Sequence, residues 1–244
     1  MQNLEKYRHL KLKTGAILAS DETIDLEAIE LAPGESTGPR RHPDCDLVVL
    51  FYEGRGTVRT GDRSFAFGGL RQAYAPAGVT FEITNTGPTP LKIAYGLCPN
   101  GPTEVADVHD PKIQSGGVTM LGITQFDRFP DSGLVRGGMF FLEPGQEASY
   151  HSHDGAPEVF VFLQGQCDST TEDEMVHVGP GDVIYVAPEM KHRLLNTGTD
   201  RLVVWLTVTP NVTPSHTFYE QQPDGLYKRI TQRLDGKTSL PPSR

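Results

Sequence analysis

Apolar runs of strand length, broken by short turn sequences, follow one another along this chain. LEAIELAPGE (26–35) and LVVLFYEGRGTV (47–58) read as strands with glycine-containing turns, and FEITNTG (81–87) with LKIAYGL (91–97) reads as a strand pair turning at Asn85-Thr86-Gly87. VRGGMFFLEPG (135–145), EVFVFLQ (158–164) and LVVWLTVTP (202–210) continue the pattern, and Pro210 to Pro214 ends it. The expected fold class is therefore all-β. GLYKRITQRLDG (225–236) is the exception, with the spacing of a short amphipathic helix ahead of a polar, frayed SLPPSR tail.

The pattern occurs twice. Gly34 and Gly54 are 20 residues apart, as are Gly145 and Gly165, and the second pair lies 111 positions after the first. The same offset carries Asn85-Thr86-Gly87 onto Asn196-Thr197-Gly198 and Phe81 onto His192. One constant offset across both stretches means a duplication without gaps, which predicts two barrels of the same build. The expected organisation is an N-terminal barrel over residues 1–98, a linker over 99–117 rich in Pro, Gly and acid, a C-terminal barrel over 118–214 and a tail over 215–244.

The chemistry concentrates in GQEASYHSHDGAPEVFVFLQG, residues 145–165. His151 and His153 stand at i and i+2, so on an extended segment both imidazoles face one point. A turn through Asp154-Gly155-Ala156-Pro157 reverses the chain. Glu158 then opens an apolar strand and shares a face with Phe160 and Phe162, where a carboxylate is costly without a partner. A divalent metal ion would satisfy it.

Gly145-x5-His151-x-His153-x4-Glu158-x6-Gly165 resembles the first conserved motif of the cupin superfamily, position for position. The second cupin motif follows in GDVIYVAPEMKHRLLN, with Gly181, His192 and Asn196 at its offsets. Ala187 stands where the family has Pro and Glu189 where it has Gly, which leaves the shape of the turn before His192 open. The resemblance implies a two-barrel bicupin of double-stranded β-helix, jelly-roll-like barrels. It also implies that His151, His153, Glu158 and His192 coordinate one divalent metal. Carried back by 111 positions, the set becomes Arg40, His42, Leu47 and Phe81. One imidazole cannot hold the ion, so the N-terminal barrel is expected to be metal-free and filled by Leu47, Phe81, Val49 and Phe51. The functional alternative there is a pocket in which Arg40 holds an anion.

Three neutral imidazoles and one carboxylate leave a divalent ion with one net positive charge and, in an octahedral shell, two open positions. Fe(II) or Mn(II) is favoured, with Zn, Ni or Co as other ions such a set accepts. Such an ion polarises a carbonyl or enol oxygen or, as iron, brings dioxygen and substrate together. The leading expectation is a metal-dependent, dioxygenase-like oxidoreductase acting on a small oxygenated metabolite. The alternatives are an isomerase, decarboxylase or lyase of the cupin type, or a non-catalytic small-molecule-binding cupin. No residue stands out as a general base. Pocket walls follow from alternation: Phe160 and Phe162, with either the Arg136, Gly138, Phe140 set or the Met139, Phe141 set, while Tyr150 points away. His9, His109, His177 and His216 have no ligand-like neighbours and read as surface or hairpin residues.

Composition narrows the partners. A net charge of −9 with a pI near 5.3, and no basic cluster beyond Pro39-Arg40-Arg41, argue against nucleic acid and anionic membranes. The three cysteines, Cys45, Cys98 and Cys167, form no CxxC pair and are odd in number, which suits free thiols in a reducing, cytoplasmic setting. Residues 1–20 carry no signal-peptide core and no run approaches a membrane span. Self-association as a homo-oligomer, a homodimer in the simplest case, is left open.

Overall fold

The computed structural model describes residues 7–99, 117–124, 127–130, 132–172, 174–212 and 216–233. Among these the helices and strands reduce to strands alone, so no helix is long and apolar enough to cross a membrane. β1 (Tyr7–Lys11) is followed by β2 (Ile17–Ser20), β3 (Asp25–Leu31), β4 (Arg40–Arg41), β5 (Cys45–Glu53), β6 (Arg55–Thr60), β7 (Arg63–Gly68), β8 (Arg71–Ala75), β9 (Thr80–Asn85) and β10 (Leu91–Pro99). Then come β11 (Thr119–Leu121), β12 (Arg136–Leu142), β13 (Glu147–Ser152), β14 (Glu158–Gln164), β15 (Cys167–Thr171) and β16 (Met175–Val178). β17 (Asp182–Val186), β18 (His192–Asn196), β19 (Leu202–Val208), β20 (His216–Gln221) and β21 (Tyr227–Arg233) complete the set.

Two barrels result, each from a pair of sheets. The N-terminal one combines β11-β8-β5-β10-β3-β2 with β4-β9-β6-β7, and the C-terminal one combines β1-β17-β14-β19-β12 with β16-β15-β18-β13-β20-β21. The two largest apolar runs, in β5 and β14, owe their continuity to burial on both faces. In β14, Phe160 and Phe162 point into the barrel, whereas Val159 and Val161 join Tyr185 and Trp205 in a cluster shared with Val48, Leu50 and Tyr74 of the other barrel. The expected filling of the N-terminal barrel is borne out, with Leu47, Val49, Phe51 and Phe81 in one buried cluster. His42 donates to or accepts from the Tyr95 hydroxyl at 2.9 Å, and Arg40 is exposed, its Nε donating to the Thr37 carbonyl.

The duplication extends to single hydrogen bonds. Asn85 Nδ2 donates to the carbonyls of Leu31 and Thr89 at 2.9 and 2.8 Å, and Asn196 Nδ2 donates to those of Leu142 and Asp200, both at 2.9 Å. Each asparagine thus closes its own turn and ties it to the last residue of an earlier strand, β3 or β12. Gly165 has φ +81° where a Cβ would sit 2.8 Å from the Arg201 carbonyl oxygen, and Gly54 has φ +96° with the equivalent clash at Pro90, so both positions require glycine.

The barrels complete each other. β1 pairs with β17, setting Arg8 opposite Tyr185 and His9 opposite Ile184, while β11 pairs with β8, setting Thr119 opposite Tyr74 and Met120 opposite Ala73. Both pairings are related by the same 111-residue offset, so the leading strand of each repeat joins the sheet of the other. The sequence boundaries at 98 and 118 therefore divide chain segments whose sheets cross over. Asp182 ties β1 down, accepting from Lys11 Nζ at 2.5 Å and lying 2.6 Å from His9 Nε2.

The short helix expected within 225–236 is a correction. Residues 227–233 form β21, paired with β20 from Gln221↔Tyr227 to His216↔Arg233. Gly225, at φ +84°, makes the tight reversal, with Gln222 N donating to the Leu226 carbonyl at 2.7 Å. Tyr227 then stacks on Tyr150 at 4.2 Å between centroids, so an available sheet edge outweighs a weak helical period. Residues 100–116, with His109 and most of the expected linker, and residues 234–244 of the expected tail lie outside the described residues.

Candidate metal centre

Three strand starts and ends converge at one mouth of the C-terminal barrel. His151 lies on β13 opposite His192, the first residue of β18, and Glu158 opens β14 between Val186 and Val208. His153 follows β13 directly. All four are buried, and one ligand atom from each lies within 4.8 Å of the others. Glu158 Oε2 is 2.9 Å from both His153 Nε2 and His192 Nε2. The His151 and His192 Nδ1 atoms lie against the carbonyls of Ser149 and Met190, at 2.6 and 3.0 Å. A carbonyl only accepts, so each ring donates from Nδ1 and turns Nε2 inward, where that of His192 lies 2.9 Å from Glu158 Oε2. Nitrogen lone pairs with one carboxylate, held on strand ends by backbone, are the donor set of a divalent metal, and the residues fit such an ion.

Burial, reinforced by the charges His192 and His153 would carry, holds His151 well below the ordinary histidine value. Burial alone would raise the Glu158 carboxyl, but the charge and hydrogen bonds of His153 and His192 outweigh it and hold it well below the usual carboxylate range. Both shifts carry the same sign for stability. Below pH 6.5 the unfolded chain takes up a proton that folded His151 refuses, and below 4.5 the same holds for Glu158. The metal-free protein should therefore melt at a lower temperature at pH 5.5 than at pH 7.5, and the drop should be smaller in His151→Gln. An equal drop in both proteins would count against this origin.

The turn before His192 keeps the shape that the glycine of the family pattern would give. Glu189 sits at φ +66°, the one non-glycine residue in the left-handed region among those described, and its N–H donates to the His153 carbonyl at 3.0 Å. That bond braces one histidine against the loop that carries another. Glu189→Gly should leave the melting temperature unchanged or slightly raised, whereas Glu189→Val, β-branched at positive φ, should cost about 1–3 kcal/mol. Thermal melts of the two variants check the opposite directions.

A cleft of about 1090 Å³ opens over His151, His153 and Glu158, lined among others by Arg128, Arg136, Phe140, Phe160, His216 and Phe218. Of the two wall sets left open by alternation, Arg136 and Phe140 line the cleft, while in the other set Met139 is buried between the barrels and Phe141 also reaches the lining. Tyr150 packs away from the cleft against Tyr219 and Tyr227. His216 corrects the expectation of an ordinary hairpin residue. Its ring lies 5.0 Å from that of His151 and 4.5 Å from that of His153, stacked on Phe218 at 5.5 Å. No local motif marks it; the placement comes from β20 pairing with β13, His151 opposite Phe218. His9 and His177 instead pair with Asp182 and Asp168.

Residues 138–209 match the family described as Cupin domain. The protein YrkC of Bacillus subtilis, named as uncharacterized, is 34% identical over 92 residues, covering 34% of this chain and 48% of that one. The chain thus spans about half the length of the curated relative it matches. Among solved structures, a Pseudomonas aeruginosa protein named as glyoxylate-induced superposes with a TM-score of 0.64 at 17% identity, over 85% of this chain and 82% of its own. Salicylate 1,2-dioxygenase of Pseudaminobacter salicylatoxidans gives 0.60 at 13%, over 77% and 71%. A point mutant of Bacillus subtilis oxalate decarboxylase gives 0.54 at 16%, over 86% and 71%. The cupin-domain match thus falls within the C-terminal barrel, and the chain as a whole has the two-barrel cupin fold.

Proposed function

We propose that His151, His153, Glu158 and His192 hold one divalent ion, Fe(II) or Mn(II), and that the protein is a dioxygenase-type oxidoreductase acting on a small oxygenated metabolite. The observation that carries this is the convergence of four buried donor atoms within 4.8 Å, three of them on residues that line an open cleft. When bound, such an ion would supply Lewis acidity toward a carbonyl or enol oxygen or, as iron, would bring dioxygen and substrate together. The chain does the rest. Ser149 and Met190 fix the orientation of two imidazoles. Phe140, Phe160 and Phe218 keep the cleft wall apolar and limit water at the reacting end. The likeness to salicylate 1,2-dioxygenase supports the fold's capacity for such chemistry, not the substrate.

Because Arg40, His42, Leu47 and Phe81 stand at the equivalent positions of the N-terminal barrel, the reading gives one site per chain. Metal analysis after loading should give one ion per chain; two tight sites would contradict the assignment. Dioxygen consumption by the loaded protein in the presence of candidate metabolites tests the reaction class. Conversion without oxygen uptake, with carbon dioxide release or rearrangement of the substrate, would move the reading to the decarboxylase or isomerase class.

A further inference from the structure

We infer that the outer face of the β20–β21 hairpin is where a second copy of this chain docks, with Tyr227 and Ile230 at the centre of a two-fold contact. The inference is independent of the metal reading, because this face lies on the back of the sheet: Tyr150 and Arg193 alternate with His151 and His192 along β13 and β18.

β21 ends the six-stranded sheet β16-β15-β18-β13-β20-β21. Six large apolar residues are exposed among those described, and three of them, Leu226, Tyr227 and Ile230, fall within five consecutive positions at 69, 38 and 49% exposure. Single exposed apolar residues are ordinary; a concentration of them at one end of a sheet marks a contact surface. The free edge itself is blunted. The pairing runs from Phe218↔Thr231 to Tyr219↔Arg229 and skips Ile230, which is therefore a bulge, with Lys228 and Arg229 just before it. A bulged, charged edge resists the addition of another strand, so the face is what remains for a partner. Residues three apart on a regular strand point to opposite sides, but the extra residue brings Ile230 round to the side of Tyr227. There Tyr227 stacks on Tyr150 at 4.2 Å and Tyr150 meets Tyr219 at 6.3 Å, and the three tyrosines and Ile230 line one groove of about 270 Å³. Tyrosines around an aliphatic side chain, with charges at the margin, have the make-up of a protein interface.

The marginal charges decide which partner fits. Arg193 Nη1 lies 3.6 Å from Glu147 Oε2, Lys191 pairs with Glu172 while its Nζ sits 5.1 Å above the Tyr219 ring, and Lys228 stands opposite Glu220. Three cations and three anions sum to zero, in a chain whose net charge is −9. Two copies of so acidic a chain repel each other unless they meet on a neutral face. A patch that carries both signs is also complementary to itself, which is what a two-fold contact requires. An anionic membrane or a nucleic acid finds no positive field here.

The test is sedimentation velocity of the full chain over a concentration series, with Ile230→Asp, Tyr227→Glu and Ile17→Asp beside wild type. Ile17, 66% exposed on β2 of the other barrel, is the matched control. Wild type should pass from monomer to dimer as its concentration rises. The dissociation constant should rise at least about tenfold in Ile230→Asp and in Tyr227→Glu, the loss expected at the centre of an interface, and should be unchanged in Ile17→Asp. Circular dichroism of the same samples checks that each variant is folded; should Tyr227→Glu fail to fold, Ile230→Asp, at the exposed bulge, decides alone. A wild type that stays monomeric at every concentration would overturn the inference. So would a dimer as tight in the folded hairpin variants as in wild type, which would put the contact on another face, or one weakened equally by Ile17→Asp. Cosedimentation of monomeric wild type with phosphatidylserine vesicles, lost in Ile230→Asp, would assign the face to a membrane and overturn the second-copy reading as well.

Discussion

Glu158→Gln is expected to weaken metal retention by at least about 100-fold, the upper end of what changes outside the ligand set itself cost. The carboxylate is the set's single anionic donor, and an amide oxygen neither cancels charge on the ion nor accepts from two imidazoles as strongly. Glu189→Gln is the matched control: the same chemical change a few residues from His192, on an exposed side chain whose role in the turn is its backbone N–H. Its metal content should equal that of wild type. Glu158→Leu goes further, because Leu47 occupies the equivalent place in the N-terminal barrel and is buried there. That variant should lose the metal while its metal-free form stays folded, since a leucine among Phe160, Val186 and Val208 removes a buried charge rather than orphaning one. Equilibrium dialysis followed by elemental analysis, with circular dichroism on the same samples, reads both quantities. Equal retention in the Glu158 and Glu189 variants would remove Glu158 from the ligand set.

What the sequence made legible follows from which forces act locally. The apolar run EVFVFLQ, the i, i+2 histidines and the constant 111-residue offset are all regularities visible along the chain itself, and they reappear as strand β14, converging imidazoles and paired sheets. The offset even carries the hydrogen bonds of Asn85 onto those of Asn196. Long-range pairing is where the reading falls short. YRHLK has no pattern that names its partner, and only the register with β17 shows it serving the other barrel. His216 stands 63 residues after His153 and is carried to it by β20, so no motif spacing reaches it. Glu189 shows a third kind of gap. Its residue type left the shape of the turn open, and the brace to His153 and the burial of Met190 hold it in the left-handed region, a case of tertiary context overriding local preference.

Removing residues 1–12 is expected to destabilise the metal-binding barrel far from the cut. β1 has β17 as its partner over five residue pairs, and Tyr7 adds a hydroxyl bond to Ser169 while Leu10 packs on the cluster between the barrels. Taking about 1 kcal/mol for each of a few ladder hydrogen bonds, the loss is on the order of 4 kcal/mol, against a total stability of roughly 5–15 kcal/mol for a typical domain. The exposed edge of β17 would also be open to pairing with other chains. Trp205 is the single tryptophan and fully buried in the inter-barrel cluster, so its fluorescence reports this core directly. Urea unfolding followed at Trp205 should show a clearly lowered midpoint in the truncated chain, with metal retention falling in parallel because β17 also borders β14 and Glu158. Double substitution of His9 and Lys11 by alanine should have a smaller effect, because Lys11 is largely exposed and the backbone ladder remains. A truncated chain with an unaltered midpoint would mean that each barrel holds its own core without the exchanged strand.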